Sequence, residues 1–343
     1  MAKVLITGGA GFIGSNLAAR LLGEGHDLTI FDNLSRSGCH ANVEWLRTTY
    51  GADSFKLVRG DLTDFAALAG AAEGAQRIYH LAGQVAVTTS VRNPRQDFED
   101  NALGTFNALE AARLHADNPI FLFASTNKVY GGMEEVRIEE RPTCYAYADL
   151  PLGIPESKPL DFHSPYGCSK GAGDQYTRDY ARIYGLRTVV MRQSCIYGYR
   201  QFGIEDQGWV AWFIIAALKR RPISIFGDGK QVRDILFVDD LLDAYDAAVT
   251  RIDQVAGQVY NVGGGPENTL SIWAEFGPLL EELLGRPIPV EFADWRPGDQ
   301  RVYVSDIRKA AAELGWQPQT SVREGIGKLF AWIASNQSLF AHL

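Results

Sequence analysis

Tyr166 and Lys170 stand four residues apart in SPYGCSKGAGDQY (164–176), just behind Pro165, a residue suited to the first turn of a helix. That spacing puts both on one helical face. An ammonium beside a phenol lowers the phenol's pKa and lets it take or give a proton near neutral pH. A surface Tyr–Lys pair meets the same spacing by chance, so the context decides. A second polar group, Ser125, Thr126, Asn127 and Lys128, ends the apolar run Ile120-Phe121-Leu122. The plain reading is a solvated loop. The sharper one is that carboxyl ends of parallel strands in an open α/β sheet line the ligand crevice.

A nucleotide site is legible nearer the start. TGGAGFIG (7–14) follows the strand-like KVLIT, with Gly8, Gly11 and Gly14 at three-residue intervals. Such glycines let backbone approach a pyrophosphate, and Phe12 and Ile13 open a helix whose N–H groups and positive dipole end face it. Asp32, with Asn33 beside it, ends the next strand 18 residues after Gly14. A carboxylate there accepts hydrogen bonds from ribose hydroxyls and repels a 2′-phosphate, favouring NAD, while Arg36 keeps NADP open. Asp61 and Leu62 close the third strand and Leu81, Ala82 and Gly83 the fourth, where they line the adenine and ribose sites. Gln84 and Val85 come next and reach toward a substrate. His80, inside the fourth strand, reads as a packed core histidine.

The elements that must position these groups follow from periodicity. Runs at 3–7, 28–32, 55–61, 77–83, 120–126 and 188–194 are β-branched or aromatic and too short for helices, so they read as strands. IGSNLAARLLGEG, DFEDNALGTFNALEAAR and YGCSKGAGDQYTRDYARIYG carry helical periodicity; in the second, Phe98, Ala102, Phe106 and Leu109 form the predicted core stripe. The alternation predicts an α/β fold, a doubly wound parallel sheet of Rossmann type. After residue 195, Pro222, Gly227, Gly229, Pro266, Pro287, Pro297 and Gly298 break the chain into small elements, predicting a smaller mixed α/β substrate-binding cap. The expected division is 1–194 with 233–265 for the nucleotide domain, and 195–232 with 266–343 for the second.

Composition narrows the partners. With 33 Lys plus Arg against 41 Asp plus Glu, the net charge of -8 opposes capture of nucleic acid or an acidic membrane surface. Cys39, Cys144, Cys168 and Cys195 show no metal-ligand spacing and read as free thiols of a reducing cytoplasm. The chain starts without a signal-peptide pattern, and WVAWFIIAAL (209–218) is too short to span a bilayer. A soluble cytoplasmic protein without metal, nucleic acid or membrane partner is expected.

Together, the glycine fingerprint and the Tyr-Lys pair make the chain resemble, throughout its length, the extended short-chain dehydrogenase/reductase family of NAD-dependent epimerases and dehydratases. The resemblance implies a third catalytic group, Thr126, four residues before Tyr130 of VYG, steadying the reacting hydroxyl opposite Tyr166. It implies that Lys170 holds the nicotinamide ribose and that Asn101 helps shape the site, although Asn is also an ordinary surface helix residue. Sugar-nucleotide 4,6-dehydratases of the family carry Asp-Glu after that Thr, and this chain has Asn127-Lys128. Epimerisation is therefore favoured over loss of water.

AGQVAVTTSV (82–91), ASTNKVYGG (124–132), PLDFHSPYGCSKG (159–171) and RQSCIYGYRQFGIEDQGWVAWF (192–213) resemble family members that invert C2 of CDP-3,6-dideoxyhexoses with tightly held NAD. This implies sugar-nucleotide contacts from Gln84, Val85, Thr126, Asn127, Gln193, Ser194, Gln201, Gln207 and Trp209. Arg233 and Arg296 present guanidinium forks suited to a diphosphate; ordinary ion pairs with Asp234 and Asp299 are the plainer reading. The expected function is NAD-dependent epimerisation of a CDP-sugar at C2 through a transient 2-keto sugar. A UDP-sugar 4-epimerase or keto-sugar reductase is the alternative, and a non-catalytic NAD-binding protein a more distant one. The resemblance also implies a homodimer or homotetramer paired through the Tyr166 helix.

Overall fold

The computed structural model describes residues 1–296 and 299–341; Pro297 and Gly298, read above as loop breakers, lie outside the described residues. The chain forms two compact units. The first comprises Met1–Val129, Phe162–Arg192 and Leu242–Tyr260, and the second Tyr130–Asp161, Gln193–Leu241 and the chain from Asn261 onward.

The first unit is built on β1 (Lys3–Thr7), β2 (Asp27–Asp32), β3 (Lys56–Arg59), β4 (Arg77–His80) and β5 (Ile120–Thr126). Strands Arg187–Gln193 and Gln258–Val262 extend the sheet beyond β5, giving seven strands in the order Gln258–Val262, Arg187–Gln193, β5, β4, β1, β2, β3. β1 pairs in parallel with β2 and β4, β2 with β3, and β4 with β5. Helices cover both faces, so the central strands read as unbroken apolar runs rather than alternating ones. Strand order reverses direction between β1 and β4, and the crevice beyond their carboxyl ends is where such sheets take ligands.

Two helices matter most. α1 (Phe12–Gly23) buries Gly14, Ser15, Leu17, Ala18 and Leu21, an apolar stripe of helical period set against the sheet. The helix Ser164–Tyr184 has Pro165 in its first turn and ends at Gly185, whose left-handed φ of 68° closes the last turn through a hydrogen bond to the Ala181 carbonyl. Its buried face is unusual: Tyr166, Ser169, Lys170, Asp174 and Thr177 are polar. Polar atoms in such a position each need a partner.

One predicted stripe is corrected. Phe98 and Phe106 are 58% and 38% exposed, while Asn101, Ala102, Thr105, Ala108 and Leu109 are buried. The segment starts as a π-helical turn, Phe98–Leu103, before the α-helix Gly104–His115. The wider turn changes the phase, so an α-periodic reading misassigns its faces.

The second unit is organised by Val232–Phe237, which pairs in parallel with Cys195–Tyr197 and Val302–Tyr303 and antiparallel with Thr269–Ser271. Two small sheets accompany it, Ser224–Phe226 with Glu291–Ala293 and Ile138–Glu140 with Tyr145–Tyr147. Trp209 and Phe213 of the helix Trp209–Leu218 pack edge-on against Phe276 and Trp273 respectively. Four segments read above as part of the first unit, Tyr130–Asp161, 193–194, 233–241 and 261–265, cluster with the second. Among the described residues no helix is long and apolar enough to cross a membrane, and no cluster of His, Cys, Asp and Glu could hold a metal ion.

Candidate active site

Thr126, the last residue of β5, and Tyr166, in the first turn of Ser164–Tyr184, are both buried, and the Thr126 hydroxyl acts on the Tyr166 phenol. The Thr126 hydroxyl also accepts the Lys128 amide at 3.2 Å, so the polar end of the strand is a built turn rather than a loose loop. Asn127 is buried beside it, within 3.3 Å of the Thr126 hydroxyl. One turn beyond Tyr166, the Lys170 ammonium donates to the Ala124 carbonyl at 2.6 Å and lies 4.2 Å from the Phe123 ring centroid. The trio therefore gathers at the carboxyl end of β5.

The electrostatics differ from the expected ones. Burial pushes the Tyr166 phenol up to about 12; the Thr126 hydroxyl pulls it down, Asp97 raises it, and Arg36 lowers it. Burial brings Lys170 down to about 7 against the pull of Asp174 and Asp97. Desolvation, which opposes the charged form of either group, outweighs the lysine effect that the spacing suggested. His80 is fully buried between the Thr7 and Thr105 hydroxyls, at 2.8 and 3.1 Å, and burial followed by Lys170 lowers it to about 3. It is a neutral core histidine.

A buried carboxylate that sequence reading did not single out lies beside the trio. Asp97 accepts hydrogen bonds from Ser169 Oγ at 2.6 Å, Gln84 Nε2 at 2.8 Å and Asn101 Nδ2 at 3.1 Å. Gln84 thus spends its amide on Asp97 and on both polar groups of Ala86. Val85 is half-buried in the same loop. Asn101 Oδ1 is buried without a hydrogen-bond partner among the described residues and faces Gly83, where an added Cβ would come within 2.4 Å of it.

The β1–α1 loop fits a dinucleotide. Gly8 has φ +72°, and a Cβ at Gly14 would stand 2.2 Å from the Gly8 carbonyl oxygen, so the turn closes only with glycine at both positions. Phe12 and Ile13 open α1 behind Gly11. Asp32 holds the loop from the end of β2, accepting the Ala10 and Leu34 amides at 3.0 and 2.8 Å. Burial raises its pKa, against these two amides and Arg36. Asn33 donates to Asp61 at 3.1 Å, linking the ends of β2 and β3. Leu62 is buried, Leu81 and Ala82 are half-buried behind β4, and Arg36 is exposed on the loop after Asp32. Gly8, Asp32, Asp61 and Gly83 thus end four adjacent strands along the carboxyl edge.

The remaining predicted residues belong to the second unit. Arg233 is buried and donates to Asp299 at 2.8 Å, while Arg296 pairs with Asp206 at 3.3 Å and lies 3.9 Å over the Phe226 ring. Ser194 donates to Asp234, and Gln193 is buried next to it. Gln201 Nε2 donates to the Ile196 carbonyl at 3.2 Å; its Oε1 and Trp209 Nε1 are buried without partners among the described residues. Gln207 bridges Ile204 in a tight turn.

A glycine-marked nucleotide loop, a Thr–Tyr–Lys group and an α/β sheet of this order define a dinucleotide-dependent enzyme class. The chain belongs to the family of GDP-mannose 4,6 dehydratase, whose model matches residues 5–329. It is 45% identical over 341 residues to CDP-paratose 2-epimerase of Salmonella typhi, spanning 97% of this chain and 99% of that one. It is 37% identical to UDP-glucose 4-epimerase of Mycolicibacterium smegmatis, over 95% of this chain and 96% of the relative. The structure of UDP-glucuronic acid 4-epimerase from Bacillus cereus in complex with UDP-glucuronic acid and NAD superposes with a TM-score of 0.81 at 27% identity, covering 97% and 99% of the two chains.

Proposed function

We propose that the protein is an NAD-dependent isomerase that inverts C2 of a CDP-sugar of the CDP-paratose and CDP-tyvelose type. The observation that carries this reading is the nearly end-to-end likeness to CDP-paratose 2-epimerase, joined to a buried Thr126–Tyr166–Lys170 group followed by Asn127-Lys128 rather than by two carboxyls. A site without that acid pair suits hydride and proton transfer better than elimination of water.

A C2–H bond with no adjacent carbonyl is too weak an acid to lose its proton directly, so inversion passes through a 2-keto sugar. NAD, when bound, would supply the reversible hydride acceptor for that oxidation and, through its ring charge, would favour the ionised phenol. Tyr166 takes the proton of the C2 hydroxyl and returns it after the keto sugar has turned over. Thr126 steadies that oxygen. Lys170 holds the cofactor ribose, and Asp32 and the Gly8–Gly14 turn hold the other half of the dinucleotide. In the second unit, Arg233 and Arg296 exchange Asp299 and Asp206 for diphosphate, with Gln193, Ser194, Gln201, Gln207 and Trp209 around the sugar nucleotide. We assign the first unit to NAD and the second to the CDP-sugar.

The exposed apolar side chains Phe98, Leu103, Phe106, Tyr176, Ile183 and Tyr184 on the first unit support a homodimer or homotetramer. Free thiols are in keeping with a cytoplasmic location.

The test is incubation of the purified protein with CDP-paratose in heavy water, without added nicotinamide cofactor, and NMR of the product. CDP-tyvelose without deuterium at C2 is expected, because the hydride returns to the carbon it left. Deuterium at C2 would exclude transient oxidation, and turnover of UDP-glucose but not the CDP-sugar would make the protein a 4-epimerase.

A further inference from the structure

Asp97 is 1% exposed, yet no cation touches it among the described residues. A buried carboxylate is costly unless its oxygens are satisfied, and here three neutral donors from three separate segments do so. Gln84 belongs to the loop after β4, Asn101 to the π-helical turn, and Ser169 to the helix that carries Tyr166 and Lys170. Ser169 falls between those two residues in sequence, and its hydroxyl also stands 3.2 Å from the Tyr166 carbonyl. The acid that this helix itself buries is different. Asp174 receives both arms of Arg192, at 2.8 and 2.9 Å, so its charge is locally cancelled.

We propose that Asp97 is a positioning residue of the site: it ties the Gly83–Ala86 loop to the catalytic helix and supplies the uncancelled negative charge that faces Lys170 and Tyr166. This rests on the proposed roles of those two residues. Asp174, paired with Arg192, and Asp97 both raise the Lys170 titration, beside a neutral His80; Asp97 raises that of Tyr166, while Thr126 and Arg36 lower it. Of these, Asp97 is the acid without a cation in contact. It favours the proton on both groups, and replacing it by a neutral isostere moves both titrations to lower pH.

Asp97→Asn tests this directly. Its amide oxygen can keep Gln84 and Asn101, while Ser169 turns its hydroxyl to the Tyr166 carbonyl. The primary readout is the carbon NMR titration of the Lys170 side chain, assigned with Lys170→Met, which needs neither substrate nor turnover. Asp97→Asn is expected to lower the midpoint by about one pH unit, and both limbs of the kcat profile should move the same way. Ser169→Ala breaks a contact and keeps the charge, so its midpoint should stay within about 0.3 units of the parent. An unmoved midpoint in folded Asp97→Asn overturns the proposal. If that variant does not fold, a downward shift of about a unit in Ser169→Ala does so instead, because contact rather than charge would then set the titration. A shifted midpoint in a protein that turns over no CDP-sugar would leave Asp97 in place and remove the proposed reaction.

Discussion

Two stretches of one helix face, a single turn apart, bury acids in opposite ways. At the outer stretch Asp174 is enclosed by Arg192, Ser125 and Gln175, a neutralised pair with every oxygen engaged. At the inner stretch Lys170 and Asp97 are both buried and not in contact, one on the Ala124 carbonyl and the other on side-chain amides and a hydroxyl. Burial is similar at both; what differs is whether opposite charges meet. A cancelled pair fixes the helix to the sheet. Buried without an acid in contact, Lys170 ionises near neutral pH, within reach of acid–base chemistry. The difference teaches that the donors around a buried acid, rather than its burial, separate scaffold from site.

Substitutions at the two stretches should split the same way. Tyr166→Phe keeps the ring and loses only the hydroxyl, so stability changes by about 1 kcal/mol or less while turnover falls about 10²- to 10⁴-fold. NAD should remain bound, as the protein's absorbance and fluorescence after gel filtration will show, and Thr126→Ala should lose less activity. A near-normal rate for Tyr166→Phe breaks the contrast at its functional end. At the scaffold end, Arg192→Met strands a buried carboxylate and should cost about 3 to 5 kcal/mol in denaturant unfolding. If Arg192→Met unfolds at the same denaturant concentration as the parent, Asp174 is not the anchor described here.

How much of this could be read from sequence depends on how local each signal is. The Gly8–Gly14 turn, Asp32 and the Tyr166–Lys170 spacing are set by residues within one loop or one helix, and the structure places them on the strand ends and helix face where the patterns put them. Asp97 was invisible because NPRQDFEDN holds three acids of similar promise, and only burial separates Asp97 from half-buried Glu99 and Asp100. The π-helical turn was equally hidden, since nothing in the composition announces an extra residue per turn, and it carried Phe98 and Phe106 out of the predicted core. The high phenol value at Tyr166 also escaped spacing arguments. It depends on how completely the tertiary fold removes water from one hydroxyl.

The subtlest test of the comparison uses stability in place of rate. Lys170 is lowered from its ordinary 10.5 to about 7 by burial, with Asp174 and then Asp97 opposing the fall. Below pH 7 both the folded and the unfolded chain carry the proton, and the full cost of burying it is present. Between pH 7 and 10.5 the unfolded chain binds the proton and the folded one does not, so this residue makes stability rise with pH. Lys170→Met removes the titration and fills the same space over Phe123 with an apolar side chain. The variant should therefore exceed the parent in unfolding free energy at pH 6.5, by on the order of 2 kcal/mol, with the gap narrowing as pH rises toward 10. Measuring both proteins at each pH cancels the tyrosines that titrate in the same range. Because Asp97 offsets part of the burial cost, the gap should widen at pH 6.5 when Asp97→Asn is the background of both proteins. A gap that does not change with pH would mean that Lys170 keeps its ordinary ionisation, and that the inner stretch is as fully compensated as the outer one.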